Sequence, residues 1–195
     1  SDAADGRVFP FVFPLITSYW NQAAGMMKYL GDKEGGLEKL KGKKIVHLYH
    51  DSAYGKEPFA VFEAYAKQYG FELIKLAVPH PGNEQQSQWL QIRQAKPDYV
   101  ILWGWGVMNA VALKTAQRNG YPSGKILGVW WAGSEEDVIP AGSAANGETP
   151  NSLGRSPRDR GRINKISSPG SVFVLSCFRD PLRVRHPSGP VPRPR

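Results

Sequence analysis

Apolar residues along the chain fall into four short runs, Lys44 to Tyr49, Phe71 to Val78, Asp98 to Trp103 and Lys125 to Trp131. Each is bounded by Gly, Pro or charged residues and rich in Val, Ile, Leu and aromatic side chains, the signature of buried strands. Between them the apolar positions recur at helical spacing. Thr17 or Ser18 caps a helix running to about Leu30, with Trp20, Ala23, Ala24, Met27 and Leu30 on one face. Pro58 suits a first helical turn, Phe59, Phe62, Ala66 and Tyr69 mark the next face, and Gly70 stops it. Gln85 to Ala95, with Trp89, Leu90 and Ile92 apolar, precedes the breaker Pro97. Val107 to Asn119 ends at Gly120, and Glu135 to Ala141 reads as a short helix.

Strands alternating with helices predict an α/β fold, an open and mostly parallel sheet with helices on both faces. Residues 1–42 precede the regular alternation. Val8 to Leu15 is broken by Pro10 and Pro14 and suits an edge or connecting segment. Gly31 to Gly42 is charged and Gly-punctuated, with room for a short helical turn. Residues 43–142 form the predicted lobe, and the pattern weakens over 143–195.

In a parallel sheet, strand ends of one kind share one edge, which is where such sheets bind ligands. Four stretches lie at or beside those ends: His50 to Gly55, Pro79 to Gly82, Trp103 to Gly106 and Val129 to Ala132. They bring Tyr54, Trp103, Trp105, Trp130 and Trp131 toward one rim. Ser52 suits the turn after the first strand, and Tyr54 offers a ring and a hydroxyl. Gly104 and Gly106 turn the chain, which predicts Trp103 in the core and Trp105 in the cleft. Trp130 and Trp131 are neighbours and point to opposite sides if extended; Trp130 is the one expected to face a ligand. His50 and His80 lie at strand ends, whereas His47 sits within a strand and reads as core. The expected ligand-binding residues are Tyr54, Trp105, Trp130, Ser52 and His80.

Composition changes the picture only at the end of the chain. Residues 1–142 carry 15 Lys and Arg against 14 Asp and Glu; residues 143–195 carry 10 against 3, nine of the ten being Arg. The net charge of +8 therefore belongs almost wholly to the tail, which also holds 8 of the 16 prolines. Such a segment buries too little surface to offset chain entropy. Disorder, or an out-of-frame origin, is expected over 143–195, whose composition is interrupted by one apolar island, Val172 to Phe178. A phosphate-binding arm is the weaker reading, since neither aromatic interleaving nor a nucleic-acid motif accompanies the arginines.

Catalytic chemistry finds little support. Ser52, His80 and Asp51 supply triad residue types, but no Gly-x-Ser-x-Gly elbow exists and Asp51 adjoins Ser52. No metal-ligand spacing is present. Gly-Trp-Gly is neither a dinucleotide fingerprint nor a phosphate loop, so no cofactor is expected. Cys177 is the only cysteine, which excludes an internal disulfide. No apolar run is long enough to span a bilayer. The opening, Ser1 to Arg7, lacks a methionine and reads as cut from a longer chain.

Arg7 to Gly142 resembles ABC-transporter solute-binding proteins of the branched-chain amino acid family, type I periplasmic binding proteins, chiefly their second lobe. The resemblance lies in Lys43 to Gly55 (KKIVHLYHDSAYG), in Lys96 to Gly106 (KPDYVILWGWG) and in Ile-Pro-Ala-Gly at 139–142. It implies a non-enzymatic receptor that grips a small solute between two lobes. It also implies a periplasmic location and delivery to an ABC permease of the inner membrane, with no nucleic-acid partner and no membrane segment of its own. By this resemblance Tyr54 matches a ligand-contacting tyrosine and Trp105 stands where another aromatic sits. Trp130 replaces the acidic residue that meets a ligand ammonium, which favours an aromatic or apolar solute. One lobe alone is expected to bind weakly. A sensory ligand-binding domain is the alternative, and a flavodoxin-like enzyme a more distant one.

Overall fold

The computed structural model describes residues 7–8, 10–11, 17–132 and 139–145, together with the backbone of 173–174. Helix α1 (Tyr19–Glu34) starts where Ser18 accepts the Asn21 N–H and stops at Gly35 in the left-handed region. A 3₁₀ turn, Leu37–Leu40, leads into strand β1 (Lys44–His50). The short α2 (Ala53–Lys56) and α3 (Phe59–Tyr69) follow, then β2 (Glu72–Val78), α4 (Gln86–Ala95), β3 (Tyr99–Trp103), α5 (Val107–Arg118) and β4 (Ile126–Gly128). Two further 3₁₀ turns span Trp130–Ala132 and Ile139–Ala145.

The four strands form an open, wholly parallel sheet in the order β2-β1-β3-β4. A two-residue strand β5 (Phe173–Val174) adds to the outer side of β4. β1 pairs with β2 from Lys44↔Glu72 to His50↔Val78, and with β3 from Ile45↔Tyr99 to Tyr49↔Trp103. The central position of β1 and β3 explains their apolar runs: every β3 residue is buried, and in β1 all but Lys44. Edge strand β2 is half exposed along its first part.

α1 and α3 pack together on one face, and α4 contacts α5. Right-handed crossovers running in opposite directions from β1 require that split, with the two pairs on opposite faces. The core joins Met26, Met27 and Leu30 of α1, Phe62 of α3, Trp89 and Ile92 of α4, and Leu113 of α5 to the strand residues.

Three expectations are corrected. β4 ends at Gly128 rather than Trp131, because the chain coils into the Trp130–Ala132 turn, where Ala132 N–H bonds back to Val129. Trp130 and Trp131 are therefore not an extended pair on opposite sides. Helix α1, expected to end at about Leu30, runs on to Glu34, where Gly35 in the left-handed region stops it. Trp20 is about half exposed at the start of α1 and donates through Nε1 to the Glu57 carbonyl. The helix expected over Glu135 to Ala141 lies outside the described residues up to 138. So does the tail, except for residues 143–145 and the two-residue strand that falls within the apolar island.

Candidate ligand-binding site

The strand order places a topological switch between β1 and β3: the chain leaves β1 toward β2 on one side, then crosses to β3 on the other. A crevice opens at such a point, outside the carboxyl ends of the strands. The loops after β1 and β3 flank it, and they carry Asp51 to Gly55 and Gly104 to Gly106.

After β1, Ser52 caps α2. Its Oγ accepts the Gly55 N–H at 3.3 Å and lies 3.0 Å from His50 Nδ1. Only glycine fits at 55, since a Cβ there would stand 1.9 Å from the His50 carbonyl oxygen. The tight turn aims Tyr54 along the rim, where its hydroxyl donates to the Gly104 carbonyl at 3.2 Å. After β3 the chain reverses through Gly106, at φ +56° and ψ −137°, a combination that side chains avoid. This reversal separates two tryptophans that would share one side of an extended strand. Trp103 is fully buried against His47 and Phe62, while Trp105 is 53% exposed with its ring 5.9 Å from His50.

Tyr19, the first residue of α1, gathers the other rings. Its ring lies 5.1 Å from Tyr54, 5.8 Å from Trp103 and 6.4 Å from Trp130, all edge-on, the arrangement that aromatic quadrupoles favour. The Tyr19 hydroxyl accepts the Trp131 Nε1–H at 2.8 Å. Trp130 is half-buried, 4.9 Å from the ring of Trp131, which is half exposed. Buried Asn109 of α5 holds this turn by donating to the Trp131 carbonyl at 2.8 Å. On the other side of β1, exposed His80 sets its Nδ1 3.4 Å from His50 Nε2. His50 is almost fully buried, and desolvation together with the neighbouring His80 holds it below the usual imidazole range.

Of the residues expected from sequence, Tyr54, Trp105, Ser52 and His80 thus lie on the loops around the switch point, with Trp130 packed behind Trp131. Sequence reasoning did not single out Tyr19 or Asn109, and it set His50 and Trp131 aside. Adjacency of His50 to the capping Ser52 was the available signal for the first of these two. Among the described residues no group of three or more His, Cys, Asp or Glu is placed to hold a metal ion. No described helix is long and apolar enough to cross a membrane.

A Periplasmic binding protein family model matches residues 1–150. The chain belongs to that family. No curated protein matches it. Among solved structures, one titled as an ABC transporter permease from the Pseudomonas fluorescens group is 51% identical, with a TM-score of 0.73; the match covers 74% of this chain and 35% of that one. A fatty acid ABC transporter substrate-binding protein from Thermomonospora curvata is 26% identical over 67% of this chain and 33% of its own, with a TM-score of 0.57. A branched chain amino acid ABC transporter protein from Thermus thermophilus, solved with bound valine, is 25% identical over 66% and 32%, with a TM-score of 0.56. The chain therefore spans about one third of the length of these periplasmic-binding-type structures. Of these relatives, the Thermomonospora protein is a substrate-binding protein and the Thermus protein holds valine.

Proposed function

We propose that this chain supplies the second lobe of an ABC-transporter solute-binding protein of the branched-chain amino acid class. The lobe closes with a first lobe over a small apolar or aromatic solute in the periplasm, and the solute passes to an inner-membrane permease. The observation that carries this reading is the placement of the tryptophans. Trp89 and Trp103 are buried in the core, whereas Trp105 and Trp131 stand half exposed at the switch-point edge. Exposed indoles of that size, held by Tyr19, Asn109 and a glycine turn, form a prepared apolar surface rather than unused core.

The same surface sets the class of solute. Among the described residues no Asp or Glu lies among the rings at this rim; Asp51, the carboxylate of the β1 loop, is already paired with Lys56 at 2.7 Å. An ammonium group buried against Trp130 and Trp131 would lose its hydration without gaining a carboxylate. The lobe therefore suits an aromatic acid, an amide or another apolar molecule better than a zwitterionic amino acid. Calorimetric titration of the two-lobed protein with aromatic carboxylic acids and with leucine tests this. Binding of the aromatic acids is expected; tight leucine binding with no response to them overturns the reading.

A further inference from the structure

A buried imidazole tied to an exposed one remains outside the aromatic rim. His50 closes β1, is 5% exposed, and engages both ring nitrogens: Nδ1 with Ser52 Oγ at 3.0 Å and Nε2 with His80 Nδ1 at 3.4 Å. Ser52 Oγ accepts the Gly55 N–H, and its own proton can point to His50 Nδ1 at 3.0 Å. With that hydroxyl proton directed at Nδ1, neutral His50 carries its own on Nε2, directed at His80 Nδ1. His80 accepts there and, when neutral, carries its own proton on Nε2. That N–H makes no hydrogen bond among the described residues.

His80 stands at a groove of about 700 Å³ that it lines with Pro79, Asn83, Glu84, Gln86 and Ser87. The first turn of α4 faces the same groove, and Gln85 gives that helix no side-chain cap, so its backbone N–H groups add positive potential there. Trp105 lies on the other flank of the imidazole pair, 5.9 Å from His50.

We propose that His80 recognises a carboxylate head group on a solute whose apolar body rests on Trp105, and that binding adds one proton to the His50–His80 pair. This rests on the reading of this edge as the solute site. In the bound state His80 carries protons on both nitrogens. His50 then accepts from His80 Nδ1 through its Nε2 and holds its single proton on Nδ1, donating to Ser52 Oγ, whose own proton turns away. The groups facing the pair permit this. From the β1 side, Asp51 is engaged by Lys56 at 2.7 Å. From the β2–α4 loop, Glu84 lines the groove and makes no ion pair among the described residues. The first turn of α4 brings Gln86, Ser87 and Gln88, the β3–α5 loop brings Trp105, and α5 brings Met108, none of them charged. Burial and the adjoining His80 disfavour a charge on His50, so the added proton resides on His80.

Nitrogen-15 NMR of the full chain, with benzoate and benzamide as probes, tests the proposal. Without probe at alkaline pH, both histidines are expected as Nε2–H tautomers. Benzoate is expected to protonate His80 and move the His50 proton to Nδ1, with an affinity that falls about tenfold per pH unit on the alkaline side of the transition. Benzamide should shift Trp105 alone, and His80→Gln should remove the pH dependence of benzoate binding. A His50 Nδ1–H tautomer in the free alkaline chain overturns the relay. Benzoate that moves Trp105 but not His80 overturns carboxylate recognition and leaves the solute site standing. Probes that move neither residue overturn the solute-site reading and this proposal with it.

Discussion

The two ends of the sheet are made of different materials. At the amino ends of the strands, Lys43 stands between Glu34 at 3.2 Å and Asp98 at 3.6 Å. Tyr99 donates to Glu34, Asp98 accepts the Lys44 backbone N–H, and Lys33 reaches the Gly124 carbonyl while lying 5.3 Å from the Tyr99 ring centre. Each charge there is answered by a neighbour. Glu34 is held below the usual carboxylate range, first by the Tyr99 hydrogen bond, and Tyr99 is pushed up by burial and by that carboxylate. At the carboxyl ends the materials are indoles, phenols, glycines and two imidazoles, and the nearest ion pair, Asp51 with Lys56, lies at the margin. One end spends its polar groups on itself and holds the strands together. The other keeps apolar surface turned outward, where a ligand can meet it.

The largest test lies midway between the ends. His47 of β1 is wholly buried among Tyr49, Phe59, Phe62 and Trp103, and neither ring nitrogen has a hydrogen-bond partner. Desolvation lowers it to about 3. The folded value lies below the unfolded one, so its contribution is complete above about pH 6.5 and is lost as the pH falls. The loss should reach about 2 kcal/mol by pH 5 and about 4 kcal/mol near pH 3. Urea unfolding across this range measures it, and His47→Leu should flatten the curve between pH 6.5 and 5.

The tryptophans flanking Gly104 sharpen the contrast at the carboxyl end. Trp103→Ala should cost about 3–5 kcal/mol in urea unfolding through the cavity it leaves. Trp105→Ala should change stability by no more than about 0.5 kcal/mol while abolishing the fluorescence response to aromatic acids. Equal destabilisation by both would erase the division between core and rim. At the amino end, Glu34→Gln should cost about 1 kcal/mol, since it weakens contacts to Lys43 and Tyr99 that solvent partly screens. Its affinity for solute should stay unchanged. A small effect is also expected for Tyr54→Phe in urea unfolding, about 1 kcal/mol or less from the lost bond to Gly104.

Much of this division was legible in the sequence, for reasons that particular residues make plain. β1 and β3 end within a residue of their apolar runs, because a central parallel strand must be apolar on both faces, and edge strand β2 ends with its run at Val78. Trp103 and Trp105 could be assigned to core and rim because the glycines between and after them break the strand period. The same rule misled at Trp130 and Trp131. Nothing in Ile-Leu-Gly-Val-Trp-Trp marks the point where the sheet stops; β4 pairs on its β3 side only with Val100 to Leu102 before the chain coils into the Trp130–Ala132 turn. Tyr19 was invisible for another reason: it lies 112 residues from Trp131, and only the folded placement of α1 brings its hydroxyl within 2.8 Å of that indole N–H. The pairing of His50 with His80 likewise depends on the register of β1 with β2, which sets His50 opposite Val78.

The bond from Tyr54 to the Gly104 carbonyl acts as a strut between two loops that already hang from adjacent strands. In the proposed two-lobed receptor, a crevice wall braced in this way would travel as one piece when the lobes swing, its shape settled before the solute arrives. Less motional freedom is then left to surrender on capture, and selectivity comes from fit rather than from moulding around the guest.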